Sequence, residues 1–128
     1  MSGERRTVDA PSAPEAVGPY SHAVASGGLL FCSGQLPLDP DSGEMAGQSP
    51  AEQTRRCLEN LQAVCFAGGT GLDRALRLTI YTTELGEFPA INDAYAEFFP
   101  TDPPARAAVG VAALPKGALV EIDAIVAL

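Results

Sequence analysis

The chain has no Trp, one His and three Cys, and its 8 Lys+Arg are outnumbered by 16 Asp+Glu. Each scarcity excludes a class of function. A single histidine cannot build a multi-histidine metal centre, and a Ser-His-Asp triad would rest on His22 alone, with no Gly-x-Ser-x-Gly turn to carry the serine. Cys32, Cys57 and Cys65 are odd in number and form no Cys-x-x-Cys pair, which argues against a disulfide framework and a zinc site. They read as buried free thiols. Net charge is −8, whereas nucleic-acid binding draws most of its affinity from Lys and Arg on phosphates. The basic residues are scattered, without aromatic interleaving, so no nucleic-acid partner is expected. No apolar stretch matches a secretory signal, and none approaches the roughly 18 apolar residues of a membrane span. A cytoplasmic protein without a membrane partner is expected. Gly68-Gly69-Thr70-Gly71 follows a helical pattern instead of opening one, so it is not read as a phosphate cradle.

What is present reads as one compact domain. The 128 residues are 46% hydrophobic and 19% charged, ordinary for a folded protein, and the domain spans 1–128 with about 1–18 as an N-terminal arm. Tyr20 to Ala25 and Leu29 to Ser33 are short β-type runs split by Ser26-Gly27-Gly28, a hairpin signal. Pro37 to Gly43 is dense in turn residues. Ser49-Pro50-Ala51-Glu52 combines an N-cap, a first-turn proline and a Glu placed to bond back to the cap. The helix it starts carries Cys57, Leu58, Leu61, Val64 and Cys65 on one face and ends at Gly68-Gly69.

Leu76, Leu78, Ile80 and Thr82 alternate as in a strand, and Phe88, Ile91, Tyr95, Phe98 and Phe99 recur at helical spacing. Ala105 to Ala112 and Leu119 to Leu128 read as two further strands. The order ββαβαββ predicts an α+β fold: one mixed sheet with both helices on one face. In the last strand Val120, Ile122, Ala124, Val126 and Leu128 share a side, yet Leu119, Ile125 and Ala127 make the opposite side apolar too. Two helices cannot cover both faces, which predicts a homo-oligomer packed sheet to sheet.

Two charged residues stand out. Arg106 lies in Ala-Arg-Ala-Ala-Val-Gly-Val-Ala-Ala, an otherwise apolar run, and its same-side neighbours Ala108, Gly110 and Ala112 are small enough to leave room for a ligand. Its planar fork suits a small carboxylate, or an Asp or Glu at a subunit interface. Glu121 is the matching carboxylate in the last apolar run. It reads either as a solvated edge residue or as a half-buried group with a raised pKa, suited to passing protons to and from water. If Leu114 to Gly117 close a hairpin, Arg106 faces Ile125 and Glu121 faces Gly110, so the two are not direct partners. They would then meet through a ligand or water, or belong to halves of a site completed by different subunits.

Several separated motifs carry a family resemblance over about residues 8–128. They are Gly18-Pro19-Tyr20-Ser21, the run Ser33 to Pro40, Glu52-Gln53-Thr54-Arg55, Leu58-Glu59-Asn60-Leu61, Asn92 to Phe99, and Pro104 to Gly117 followed by Val120-Glu121-Ile122. In these the chain resembles the Rid/YjgF family of reactive-intermediate deaminases. The resemblance implies a chorismate-mutase-like fold assembled as a homotrimer around a central barrel, with active sites between subunits. It implies cofactor-independent hydrolysis of 2-enamine and 2-imine acids, such as 2-aminoacrylate (2-iminopropanoate) and 2-iminobutanoate, to the 2-oxo acid and ammonia. Carried over by residue, Arg106 clamps the carboxylate with the backbone N–H of Ala108, Glu121 orients or deprotonates water, and Tyr20, Ser33 and Asn92 line the pocket. Ala108 stands where Cys or Thr is frequent in the family, and His22 where Gln is common. A deaminase dedicated to one pathway and a non-catalytic trimer binding 2-oxo acids are the alternatives, while RNA cleavage fits poorly with the net charge.

Overall fold

The computed structural model describes residues 4–128. Ser49 caps the first helix, α1 (Pro50–Ala67). Its Oγ accepts the Glu52 backbone N–H at 3.1 Å, and the Glu52 carboxylate accepts the Ser49 N–H at 3.1 Å. This reciprocal cap, with Pro50 in the first turn, sets where the helix begins. Its apolar stripe, Cys57, Leu58, Leu61, Val64 and Cys65, is wholly buried; each fully buried leucine contributes about 1.5–3 kcal/mol. All three cysteines are free and buried.

The stripe packs on one face of a six-stranded sheet formed by β1 (Arg6–Val8), β2 (Ala23–Ser26), β3 (Leu29–Gln35), β4 (Ala75–Thr82), β5 (Ala105–Gly110) and β6 (Val120–Ala127). The spatial order is β1-β2-β3-β6-β4-β5. The second helix, α2 (Phe88–Ala96), joins α1 on the same face through Ile91 and Tyr95. Gly27 and Gly28, both at positive φ, close the β2–β3 hairpin with Ser26 opposite Leu29. The mixed sheet with both helices on one face agrees with the sequence reading.

Three features differ from it. The segment read as an arm contributes β1, which pairs with β2, and sends Val8, Ala10 and Ala13 into the core. Three residues with a single buried side chain leave no periodicity to detect. Leu76 is 48% exposed although it lies in the alternation with Leu78 and Ile80, because a register shift between Ala75 and Arg77 turns it outward. Most consequentially, β5 and β6 do not form a hairpin. β5 pairs in parallel with β4, placing Arg106 beside Leu78, and β6 pairs antiparallel with both β3 and β4, placing Glu121 beside Tyr81. The unit β4-α2-β5 is a helix crossover between adjacent parallel strands, which a short hairpin cannot supply. β4 therefore separates the two strands that carry Arg106 and Glu121.

Alternation along β6 buries Val120, Ile122, Ala124 and Val126 under the helices and turns Glu121, Asp123, Ile125 and Ala127 to the other face. Leu128 lies beyond the strand and is exposed. Among the described residues no helix covers that other face, where Phe31 and Val109 are also exposed. Between Cys32 and Gln35 the β3–β6 register shifts, and Ser33 and Gly34 bulge out of the ladder opposite Asp123, with Gly34 against the Glu121 side chain. At Gly34 a Cβ would collide with the Glu121 carboxylate oxygen and stand 3.1 Å from its Cδ. Any larger residue here would have to displace that carboxylate. Buried Asn60 anchors the chain beyond the bulge, its Nδ2 donating to the carbonyls of Leu36 and Leu38 at 3.0 Å each.

Candidate functional site

The strand pairing decides where the charged side chains go. Neighbours across a ladder point to the same face, so Arg106, level with buried Leu78, projects on the helix side of the sheet. Glu121, level with Tyr81, projects on the open side. Within one chain the two residues lie on opposite faces. Each stands in its own cleft.

On the helix side, Arg106 lines a cleft of about 410 Å³ with Asn92, Tyr95, Phe99, Pro103 and Pro104. Its Nη1 donates to Asn92 Oδ1 at 2.7 Å. The guanidinium carbon sits 4.9 Å from the Tyr95 ring centre and 5.3 Å from that of Phe88. Phe88, Asn92 and Tyr95 occupy positions i, i+4 and i+7 of α2, so helical spacing alone presents all three to the strand. Asn92 and the aromatic rings orient the fork without neutralising it. Among the described residues Arg55 pairs with Glu97 and Arg56 with Glu59, while Arg106 has no carboxylate partner. Ala108 and Gly110 follow on the same side of β5, as the sequence reading expected. Val111 N–H donates to Thr82 O in β4; alternation then directs the N–H of Ala108 away from β4, off the sheet edge.

On the open side, Glu121 lines a cleft of about 280 Å³ with Tyr20, Ser33, Gly34, Val17, Leu36 and Pro115. Ser33 Oγ donates to Ser21 O at 2.6 Å. The Tyr20 hydroxyl accepts the Val17 N–H at 3.1 Å and keeps its own proton for another acceptor. Burial pushes the Glu121 carboxyl above its ordinary range, and the negative charge of Asp123 raises it further. Asp123 is two residues along the same face and accepts the Tyr81 hydroxyl at 3.1 Å. The fold thus brings Tyr20, Ser33 and Glu121 to one cleft and Arg106 and Asn92 to the other, while Ala108 lies two residues further along β5 and does not line that cleft. Phe88, Tyr95, Tyr81 and Asp123 were missed as site neighbours, although the i, i+2 spacing of Glu121 and Asp123 was there to read.

His22 belongs to neither group. Buried beneath the N-terminal segment, it accepts the Ala10 N–H at Nδ1 (3.0 Å), and its Nε2 lies 2.8 Å from Pro14 O as donor. It fastens residues 10–14 to the sheet. Among the described residues no group of three or more His, Cys, Asp and Glu is placed to hold a metal ion, and no helix is long and apolar enough to cross a membrane.

The burial of Glu121 has a thermodynamic consequence. Its folded-state pKa lies above the unfolded value, so the folded chain holds the proton more tightly, and stability falls as pH rises from the ordinary Glu range through the folded-state pKa. Glu121→Gln removes this loss. The variant is expected to melt at a higher temperature than wild type at neutral pH, with the gap closing as both are acidified. Thermal unfolding at neutral and acidic pH checks this, and an equal or lower melting temperature at neutral pH contradicts it.

Residues 10–128 match the family model described as Endoribonuclease L-PSP. The RutC family protein y4sK of Sinorhizobium fredii is 53% identical over 116 residues, covering 91% of this chain and 92% of that protein. The 2-iminobutanoate/2-iminopropanoate deaminase of Capra hircus is 40% identical over 121 residues, covering 94% of this chain and 88% of the goat protein. Among solved structures, E. coli TdcF with bound serine superposes with a TM-score of 0.91 at 36% identity, covering 96% and 98% of the two chains. The family-model match over residues 10–128 and relatives of this identity and coverage agree: the chain belongs to the Rid/YjgF family that the Endoribonuclease L-PSP model describes.

Proposed function

We propose that the protein is a cofactor-independent deaminase that hydrolyses 2-enamine and 2-imine acids of the 2-iminopropanoate and 2-iminobutanoate class to the 2-oxo acid and ammonia. The observation that carries this is Arg106, a guanidinium held by Asn92 and two aromatic rings in an open cleft with no carboxylate of its own. Such a group is prepared to receive a small carboxylate in a bidentate geometry. The name of the goat relative and the serine bound to TdcF support the reading.

The chemistry demands little machinery. The substrate is bound as the imine, its carboxylate on Arg106 and the outward N–H of Ala108. Glu121 takes a proton from water as the oxygen adds to the carbon of the protonated imine and returns it to the nitrogen of the resulting carbinolamine; as ammonia leaves, the hydroxyl proton passes to Glu121 and on to solvent. The carbonyl of the 2-oxo acid is left. An imine carbon is already electrophilic, so placing one water and one proton donor supplies most of the acceleration. Tyr20, with a free hydroxyl proton, and Ser33 line the cleft beside Glu121.

Because Arg106 and Glu121 face opposite sides of the sheet, we propose that a complete site joins the Arg106 cleft of one subunit to the Glu121 cleft of another. The assembly is a homotrimer packed through the open sheet face, as the exposed Phe31 and Val109 favour. An RNA-cleaving reading lacks electrostatic support, since the net charge is −8. The test generates imines in situ with an amino-acid oxidase and traps them with semicarbazide. The protein is expected to suppress semicarbazone formation. No suppression with any amino acid, together with 2-oxo acid binding, would make the protein a binding module instead.

A further inference from the structure

Asp123 and Tyr81 have no part in the scheme above, yet they sit beside its proton-handling carboxylate. Tyr81 lies directly across the β4–β6 ladder from Glu121, and Thr79 across from Asp123. Glu121 and Asp123 alternate onto the same open face, their backbones about 7 Å apart at i, i+2 spacing. The Tyr81 hydroxyl donates to Asp123 Oδ2 at 3.1 Å, which fixes the direction of that carboxylate. The other elements around Glu121 bring few titratable groups. Ser33 and Gly34 of β3 carry none, the 17–20 segment brings the Tyr20 phenol, and the 115–117 turn presents Pro115 to the cleft. From the helix side the thiol of buried Cys57 faces the same stretch of β6, its Sγ bonded to the Val120 carbonyl at 3.5 Å. Burial pushes that thiol well up, so it is uncharged at neutral pH. Among the described residues Asp123 is the carboxylate that acts on Glu121 at close range, and after burial it is the further reason the Glu121 carboxyl stands above its ordinary range.

We propose that Asp123, anchored by the Tyr81 hydroxyl, is a positioning residue for the reaction: its carboxylate, held two residues from Glu121 on the same open face of β6, acts on the group that takes a proton from the attacking water. This rests on the deaminase reading and assigns Asp123 and Tyr81 a place in it. Neither touches the substrate. Tyr81 supplies the hydrogen bond, Asp123 the charge, and Glu121 the proton transfer. A purely structural pair would hold β4 to β6 without altering how activity responds to pH.

The test compares the pH dependence of kcat/KM for wild type, Asp123→Asn and Tyr81→Phe in the imine-trapping assay. It is paired with an NMR titration of the Glu121 side-chain carboxyl carbon in each full-length protein. Asn preserves the shape of Asp and an acceptor for Tyr81 while removing the charge. The acid limb of the Asp123→Asn profile, and the Glu121 titration, are expected to move to lower pH by about half a unit or more, the Coulomb effect of one charge at this spacing even in a water-like dielectric. Tyr81→Phe should move both in the same direction by less. An unchanged limb and titration in a folded, active Asp123→Asn protein would overturn the proposal. If no protein, wild type included, hydrolyses imines, the deaminase reading fails, and the titration alone decides whether Asp123 acts on Glu121.

Discussion

Arg106→Ala is expected to abolish imine hydrolysis, lowering kcat/KM by on the order of a thousandfold, while leaving the fold intact. The reasoning starts from what surrounds the guanidinium. Its partners are the Asn92 amide and the rings of Phe88 and Tyr95, none of which carries a charge to be left unpaired when Arg106 goes. The strand it occupies is exposed along most of its length. Removal therefore costs little folding stability, in contrast to breaking a buried ion pair, which strands a charge at about 3–5 kcal/mol. The substrate loses both the attraction for its carboxylate and the fixed orientation that brings the imine carbon to water. Single electrostatic donors in such sites are worth about a hundred- to a thousandfold, and misplacement by about 1 Å about a hundredfold. Arg106→Lys should recover only a small part, because an ammonium cannot reproduce the planar fork. Semicarbazone trapping reads the effect directly. If Arg106→Ala suppresses trapping as well as wild type does, the carboxylate clamp lies elsewhere.

The second large effect comes from combining two inactive proteins. Arg106→Ala and Glu121→Gln are each expected to be inactive alone. If each site takes Arg106 from one subunit and Glu121 from another, mixing restores sites in which neither residue is mutated. In a closed trimer of head-to-tail contacts, a mixed assembly contains one intact site among three. After unfolding and refolding together in equal amounts, about three quarters of the trimers are mixed, so about one quarter of wild-type activity should return. The prediction follows from strand register: Leu78 beside Arg106 faces the helices and Tyr81 beside Glu121 does not. Mixing without refolding, so that subunits do not exchange, is the control and should return nothing. No recovery after verified subunit exchange would mean that Arg106 and Glu121 do not share a site across subunits, or that they act within one chain.

The outcome at particular residues shows what kind of information each level carries. The Ser49 cap and the α1 stripe were legible because they are local: the cap is a bond between residues three apart, and the stripe follows from 3.6 residues per turn. Arg106 and Glu121 were legible as charges set in apolar runs. That β5 and β6 do not pair was not legible, since a turn-rich segment between two strands is equally compatible with a hairpin and with a connection that passes over an intervening strand. Strand partners are chosen by nonlocal burial, and here β6, apolar on the helix-facing side and half-buried on the other, takes the place between β3 and β4. β1 escaped notice because its partner, β2, lies far along the chain and only Val8 of its three residues is buried.

By itself, then, the sequence determined the α+β class, the two helices and their buried faces, the free thiols, and the short set of residues able to handle a small carboxylate and a proton. These are matters of composition and of spacing within about ten residues. Only the tertiary structure decided that Arg106 and Glu121 stand on opposite faces, that Asn92 and two aromatic rings orient the guanidinium, and that Asp123 and Tyr81 stand beside Glu121. The reason is that side-chain direction on a sheet has a period of two. The face a residue occupies relative to a distant one is fixed only when the strands pair, and that pairing depends on how the whole core is buried.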